Sequence, residues 1–214
     1  MKRVLLTAVA VLLAAVGAQA QIPAEVTEVM NRCRAVMHHP DGVEYEMLMK
    51  TTIGPAAVGT IHFASANKGE KIKSKITTVM NDELVVLESG FDGTQAWEIS
   101  HSSKGDTIRI TNTTQQKKKS KLLELDMDKK YKKAKIKVKD DCYEIDFSNP
   151  VDKKSEAKNT TLKVAKKSFI FREMETKVKT AKLSVTLTKL KVGVKDDSFA
   201  LDLDKYPGAV VIRE

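Results

Sequence analysis

The sequence is short of the residues around which catalytic and metal sites are built. Its two cysteines, Cys33 and Cys142, stand far apart, and neither has a His or Cys neighbour at metal-ligand spacing. It has no Gly-x-Ser-x-Gly elbow, and His101 followed by Ser102 and Ser103 reads as a polar strand end. His38 and His39 are adjacent at the end of a helical pattern, so they point in different directions and read as a solvated terminus. The expectation is a protein without metal or cofactor that catalyses no reaction. Aromatic residues make up only 5 % of the chain, with Trp97 the single tryptophan, so aliphatic side chains and methionine must fill the interior. Beyond residue 20 no apolar run approaches the roughly 20 residues of a membrane-spanning helix. Arginine is absent from the most basic segment, which counts against nucleic-acid recognition.

Among the features present, the first twenty residues come first. Lys2 and Arg3, the uncharged apolar run Val4 to Val16 and Ala18-Gln19-Ala20 have the form of a secretory signal peptide cleaved after Ala20. That leaves residues 21–214 as a single exported domain, with no cysteine after the cleavage site to carry a lipid anchor. In an oxidising compartment Cys33 and Cys142 either pair or remain two buried thiols. The formal net charge is +9, and much of it is local, because Lys117 to Lys139 sets eleven lysines against Glu124, Asp126 and Asp128. Such a segment on a near-neutral body is a solvated face or an anionic docking surface. The docking candidates are Lys117, Lys118, Lys119, Lys121, Lys129, Lys130, Lys132 and Lys133.

Periodicity divides the rest. Val26, Val29, Met30, Cys33, Val36 and Met37 form one helical stripe that His38-His39-Pro40-Asp41-Gly42 stops. From Val43 the period becomes two: Val43, Tyr45, Met47 and Met49 alternate with polar residues, and further strands follow around Ile61 and Phe63, Ile72 and Ile76, and Ile108 and Ile110. Leu84 to Ser100 reads as a hairpin, because Asp92-Gly93 lies between two apolar runs. Between Gln115 and Tyr131 the strand pattern lapses, and Leu122, Leu123, Leu125 and Met127 suggest one or two short amphipathic helices. Strands resume at Lys135, among them one with Tyr143, Ile145 and Phe147 on one face, for about ten strands in all. One-sided alternation of this kind belongs to a large antiparallel sheet, which at this size must curl or close.

Phe91-Asp92-Gly93-Thr94-Gln95-Ala96-Trp97 resembles the hairpin of the periplasmic outer-membrane lipoprotein carriers of the LolA type, in which an aromatic follows an Asp-Gly turn. Asp197-Ser198-Phe199-Ala200-Leu201-Asp202 and Tyr206-Pro207-Gly208-Ala209-Val210-Val211-Ile212 look like the closing strands of that family, in particular of its Bacteroidota branch. The resemblance implies a mainly β (α+β) fold: an unclosed, strongly curved antiparallel half-barrel with an N-terminal helix and a mid-chain helical lid. It also implies a monomeric periplasmic carrier that shields the acyl chains of lipoproteins, or of a similar lipid-like ligand. The implied partners are an inner-membrane release complex and an outer-membrane receptor, with transient contact at membranes. Shielding is needed because each methylene exposed to water costs about 0.8 kcal/mol. On this reading Met47, Met49, Ile61, Phe63, Ile72, Ile76, Trp97 and Ile110 wall an acyl pocket, with Leu123 and Met127 on the lid. The early-strand arginine that helps gate the family's lid has no counterpart between Ile61 and Lys71. The alternative is a lipid-sensing regulator of the same fold, like the RseB-type proteins.

Overall fold

A computed structural model describes residues 22–80, 82–103, 105–111 and 125–214. The expected helix is present as α1 (Ala24–Met37), with Val26, Val29, Met30, Cys33 and Met37 buried on one stripe. Pro23 precedes it with an extended ψ of 141°, a suitable entry because proline's missing N–H costs a first turn nothing. Twelve strands follow rather than about ten: β1 (Val43–Ile53), β2 (Ala56–Lys68), β3 (Lys71–Met80), β4 (Glu83–Phe91), β5 (Ala96–Ser102), β6 (Gly105–Thr111), β7 (Tyr131–Val138), β8 (Cys142–Pro150), β9 (Ala157–Ala165), β10 (Phe171–Val178), β11 (Ala181–Val192) and β12 (Val210–Arg213).

All twelve belong to one sheet in the order β12-β6-β5-β4-β3-β2-β1-β11-β10-β9-β8-β7. The outermost strands, β12 and β7, do not pair with each other, so the sheet is unclosed, as expected. It is a meander with two long-range steps: β1 against β11, which joins the two halves over eleven residue pairs, and β12 against β6 at one edge. Every pairing is antiparallel except that of β12 with β6, which is parallel.

The segment taken for closing strands is largely something else. Asp196–Phe199 and Leu203–Lys205 are single 3₁₀ turns, the second opened by the Asp202 carboxylate accepting from the Asp204 N–H at 3.3 Å. Short polar side chains divert the backbone into local hydrogen bonds here, and only Val210–Arg213 reaches the ladder. Likewise, the helical segment before β7 is within the described residues only the one-turn α2 (Met127–Lys130), and Tyr131 already begins β7. Leu122 and Leu123 lie outside the described residues.

Register decides which face each side chain joins. Counting across the ladders, Met47, Phe63, Ile76 and Leu87 share a face, and Met49, Ile61 and Val85 share it with them. α1 packs on this face, and with β1 and β7–β11 it seals the main core, where Val26, Met30, Cys33, Ile145, Leu162 and Phe171 have no exposed surface. Trp97 pairs with Gly90 on one side and Ile110 on the other, and Gly90 pairs with Lys73, which places Trp97 and Ile110 on the opposite face. There Trp97, Ile99, Ile108 and Ile110 form a second core beneath Leu201, Tyr206 and Ala209 of the C-terminal strap. The sheet therefore exchanges its covered side between β4 and β5.

Two further readings are settled by the same geometry. Cys33 and Cys142 are both free and buried, so of the two alternatives the disulfide is not formed. Cys33 sits on the buried stripe of α1, whereas Cys142 is one residue out of phase with Tyr143, whose partner Val164 belongs to the α1-covered core; the sheet stands between the two sulfurs. Burial pushes the Cys33 thiol up to about 12, so it behaves as a small apolar side chain. Gly42 (φ 84°) is required where α1 passes into β1, since a Cβ there would meet the Asn67 carbonyl at 2.8 Å.

Gly90 is required for a different reason. A Cβ on it would lie 2.4 Å from Cζ2 of Trp97, so the indole lies directly across the bare backbone. Gly90→Ala is expected to destabilise the fold by about 1–3 kcal/mol, the usual range for overpacking. Chemical denaturation followed by Trp97 fluorescence measures it, and an unchanged midpoint would contradict the close approach.

Candidate functional site

The expected hairpin is present, and its loop is held by one side chain. Asp92 Oδ1 accepts from the Thr94 N–H at 2.8 Å, the Gln95 N–H at 2.8 Å and the Thr94 hydroxyl at 2.9 Å. Burial would raise the Asp92 carboxyl, but these donors outweigh it and hold the group below its ordinary value. The turn fixes where β4 and β5 run together, and hence that Phe91 and Ala96 face one side while Gly90 and Trp97 face the other.

On the α1-covered face, β1 begins inside the core: Tyr45, Met47 and Phe63 are 4 %, 1 % and 3 % exposed. Moving through β2 to β4, the cover thins. Ile61, Ile72, Ile76 and Leu87 are only half-buried, and Val85 is exposed. The face then turns polar on β5 and β6, where Glu98, Ser100 and Arg109 are exposed. Of the expected wall, Met47, Met49, Ile61, Phe63, Ile72 and Ile76 do share this face, and Met127 packs into the core at its buried end. Trp97 and Ile110 do not, because the register sends both to the strap side. Leu123 lies outside the described residues.

Leu87, Val85 and Phe91 share the same face and were missed. Leu84, Val85, Val86 and Leu87 are a continuous apolar run, so alternation alone gives no side to any of them. Only the pairing of Ile76 with Leu87 and Ile72 with Phe91 does.

Arg34 on α1 was also missed. Its Nη1 donates to Asp128 Oδ1 at 2.7 Å and its Nη2 to Oδ2 at 3.0 Å, while Nη1 also donates to the Leu125 carbonyl at 3.0 Å. The fork is bidentate and shielded, with the Asp128 side chain 6 % exposed, and hydrogen bonding to Asp128 raises the Arg34 pKa above its ordinary value. It clamps residues 125–130 to the helix, which places Leu125 and Met127 over the main core. A helical-wheel signal existed, since Arg34 borders the buried Cys33 and Met37, but its partner is 94 residues away and no local pattern links them.

The strap side has its own polar fastening. Tyr206 donates to Glu88 at 3.1 Å, Lys75 pairs with Glu88 at 3.0 Å, and His101 Nδ1 stands 2.9 Å from Asp106 Oδ1. Burial and the Glu88 charge push the Tyr206 phenol up to about 12, so it remains a donor. Lys68 and Lys71 both reach Asp196, at 3.2 and 2.8 Å. His101 thus belongs to a structural cluster that holds the strap. His39 Nδ1 accepts from the Asp41 N–H at 3.2 Å, as a helix-terminal residue would.

Of the lysine docking candidates, Lys129, Lys130, Lys132 and Lys133 are exposed, the last two on the edge strand β7. Lys117, Lys118, Lys119 and Lys121 lie outside the described residues. No helix among the described residues is long and apolar enough to cross a membrane.

No protein-family model matches the sequence, and no curated protein matches it. Solved structures do match. An uncharacterised conserved protein from Thermus thermophilus superimposes with a TM-score of 0.51 over 89 % of this chain and 99 % of its own, at 7 % identity. The lipoprotein LppX of Mycobacterium tuberculosis gives 0.49 over 79 % of this chain and 97 % of its own, at 12 % identity. A LolA superfamily protein from Nitrosomonas europaea gives 0.38 over 82 % and 97 %, at 11 % identity. The likeness is one of fold: an unclosed, curved, predominantly antiparallel sheet with a helix across one face. A Bacteroidota-type branch finds no support among these structures.

Replacing Arg34 by Gln is expected to cost about 2 kcal/mol, the usual scale for losing hydrogen bonds to a shielded charge. It should also raise hydrogen exchange over residues 125–130 ahead of the sheet. Uniform loosening of the whole molecule, with that segment unchanged relative to the rest, would contradict the clamp.

Proposed function

We propose that this chain is a periplasmic carrier that holds the acyl chains of a lipoprotein, or of a similar amphiphile, against the α1-covered face and releases them at the outer membrane. The observation that carries the reading is the half-buried apolar surface of Ile61, Ile72, Ile76 and Leu87, which continues outward from a sealed core. Aliphatic side chains there, with Met47, Met49 and Met127 at the inner end, re-pack around flexible chains at little cost. The work is transfer of apolar surface, about 0.8 kcal/mol per methylene, so no bond need be made or broken and no catalytic residue is required. Residues 1–20, as a cleaved signal peptide, would deliver residues 21–214 to that compartment. The protein would act as a monomer, meeting an inner-membrane release complex and an outer-membrane receptor in turn.

A fluorescent fatty-acyl probe tests this. The protein should bind it, and Ile76→Asn with Leu87→Asn should weaken binding by about tenfold or more while the thermal midpoint stays within a few degrees, since burying unpaired amides against the chain is unfavourable. Trp97 is not a suitable reporter, because it lies on the other face. A protein that ignores the probe but binds a signalling protein would instead favour the lipid-sensing regulator.

Docking is assigned to the lysine-rich segment, through long-range attraction to an acidic partner or anionic headgroups. Changing Lys129, Lys130, Lys132 and Lys133 to Gln should weaken docking and flatten its dependence on salt. Salt-independent docking that survives those changes would leave the lysines a role only in solubility and in blunting the β7 edge.

A further inference from the structure

The α1-covered face carries a second pattern, which runs across the strands. Tyr45, Ser65, Ser74, Ser89, Glu98 and Arg109 follow one another in register from β1 to β6. This polar row lies one pleat, about 6.6 Å, from the apolar row of Phe63, Ile76 and Leu87. At its inner end the polar groups find protein partners, the Asn67 amide donating to the Ser65 hydroxyl at 3.3 Å. At its outer end they do not. The Ser74 and Ser89 hydroxyls stand 2.9 Å apart, and whichever donates, the other keeps a proton to offer. Glu98 and Arg109 are directly paired across β5 and β6, yet neither has an ion-pair partner within 4.0 Å among the described residues. Between these groups lies an open groove of about 390 Å³, with Ile72, Ala96 and the terminal Glu214 also on its walls.

We propose that this groove is the headgroup site of the carrier, built for a zwitterionic amphiphile whose phosphate meets Arg109 and whose ammonium meets Glu98. The assignment rests on the carrier reading above and gives it a direction. The head sits over β5 and β6, and the chain runs across β4, β3 and β2 toward Phe63 and Met47. From β6 to β1 is five inter-strand steps, roughly 24 Å. A guanidinium fork suits two phosphate oxygens, and the free serine proton suits an ester or phosphate oxygen beside it. The carboxylates of Glu98 and Glu214 would repel a purely anionic head, and the arginine would repel a purely cationic one. Only a head with both signs satisfies both residues.

Three single-chain amphiphiles of equal chain length, each below its micelle concentration, test the site by displacing the fluorescent acyl probe: a lysophosphatidylethanolamine, a lysophosphatidylglycerol and an alkyltrimethylammonium. The zwitterion should displace the probe at a concentration several-fold lower than either of the others. Arg109→Gln should weaken the zwitterion and the anion by about tenfold, equivalent to about 1.4 kcal/mol, and leave the cation no weaker. Glu98→Gln should weaken the zwitterion and the cation and leave the anion no weaker. Both residues are exposed, so the fold should tolerate either change. Equal displacement by all three, or unchanged ratios in both variants, would overturn the headgroup site while leaving the carrier reading intact. Failure of the probe itself to bind would remove the carrier reading and this site together.

Discussion

The indole of Trp97 lying across Gly90 is the contact on which the arrangement depends. A pleated sheet offers two faces, and a sheet this wide needs cover on whichever face is apolar. From β7 through β11 to β1 that is the face beneath α1. At β5 it becomes the other, and a large aromatic must suddenly fit on a side where β4 and β3 offer Gly90 and Lys73. The absent side chain at Gly90 gives the ring a bed at van der Waals range, the Trp97 Nε1–H reaches the Phe199 carbonyl at 3.4 Å, and the Lys73 ammonium stands 5.5 Å from the ring centroid. The buried Phe199 brings the strap with it. Without that bed the second core has no seat, and the strap and β12 lose the surface on which they are laid.

This inversion explains why the helix side can be left incompletely covered. A single helix of fourteen residues is about 21 Å long, while twelve strands at about 4.8 Å spacing spread far wider. If β5 and β6 had kept their apolar residues on the helix side, that side would present an apolar expanse with no described element over it. Turning Trp97, Ile99, Ile108 and Ile110 to the strap confines the half-buried apolar surface to β2–β4 and ends it against a polar border. The result is a bounded apolar strip instead of an adhesive face.

How far the sequence carries the reader follows from the same geometry. The stripe of α1, the alternation of Val43, Tyr45 and Met47, the face of Tyr143, Ile145 and Phe147, and the Asp92 turn were all legible, because each is a local periodicity or a turn signal. The side of the sheet was not. Trp97 and Ile110 alternate as regularly as Ile72 and Ile76 do, and period two states that a face exists without stating which. Nor was the clamp between Arg34 and Asp128 visible, since it joins the first helix to a turn near mid-chain. The 3₁₀ strap was hidden by its own composition: Leu201, Tyr206 and Ala209 look like strand residues, but Asp202 and the Pro207-Gly208 pair take the backbone out of the ladder.

The two covers are fastened to different extents. The strap is held by close packing of rings and aliphatic groups, with Ile99, Ile108 and Phe199 wholly buried, and by its polar contacts with Glu88, Lys68 and Lys71, so moving it exposes apolar surface and breaks several ion and hydrogen-bond pairs together. The segment at residues 125–130 is held to α1 chiefly by one guanidinium fork and by Leu125 and Met127. A hydrogen-bonded charge pair exchanges for water with a modest net change, and the two apolar residues could exchange their contacts for those of an acyl chain arriving on the same face. On the proposed carrier reading, an incoming amphiphile would replace what it displaces on the helix side, but would have less to offer in exchange on the strap side. The half-buried apolar strip and the more lightly fastened cover are thus on the same face, and the aromatic core behind the sheet holds β5 and β6 from the other side.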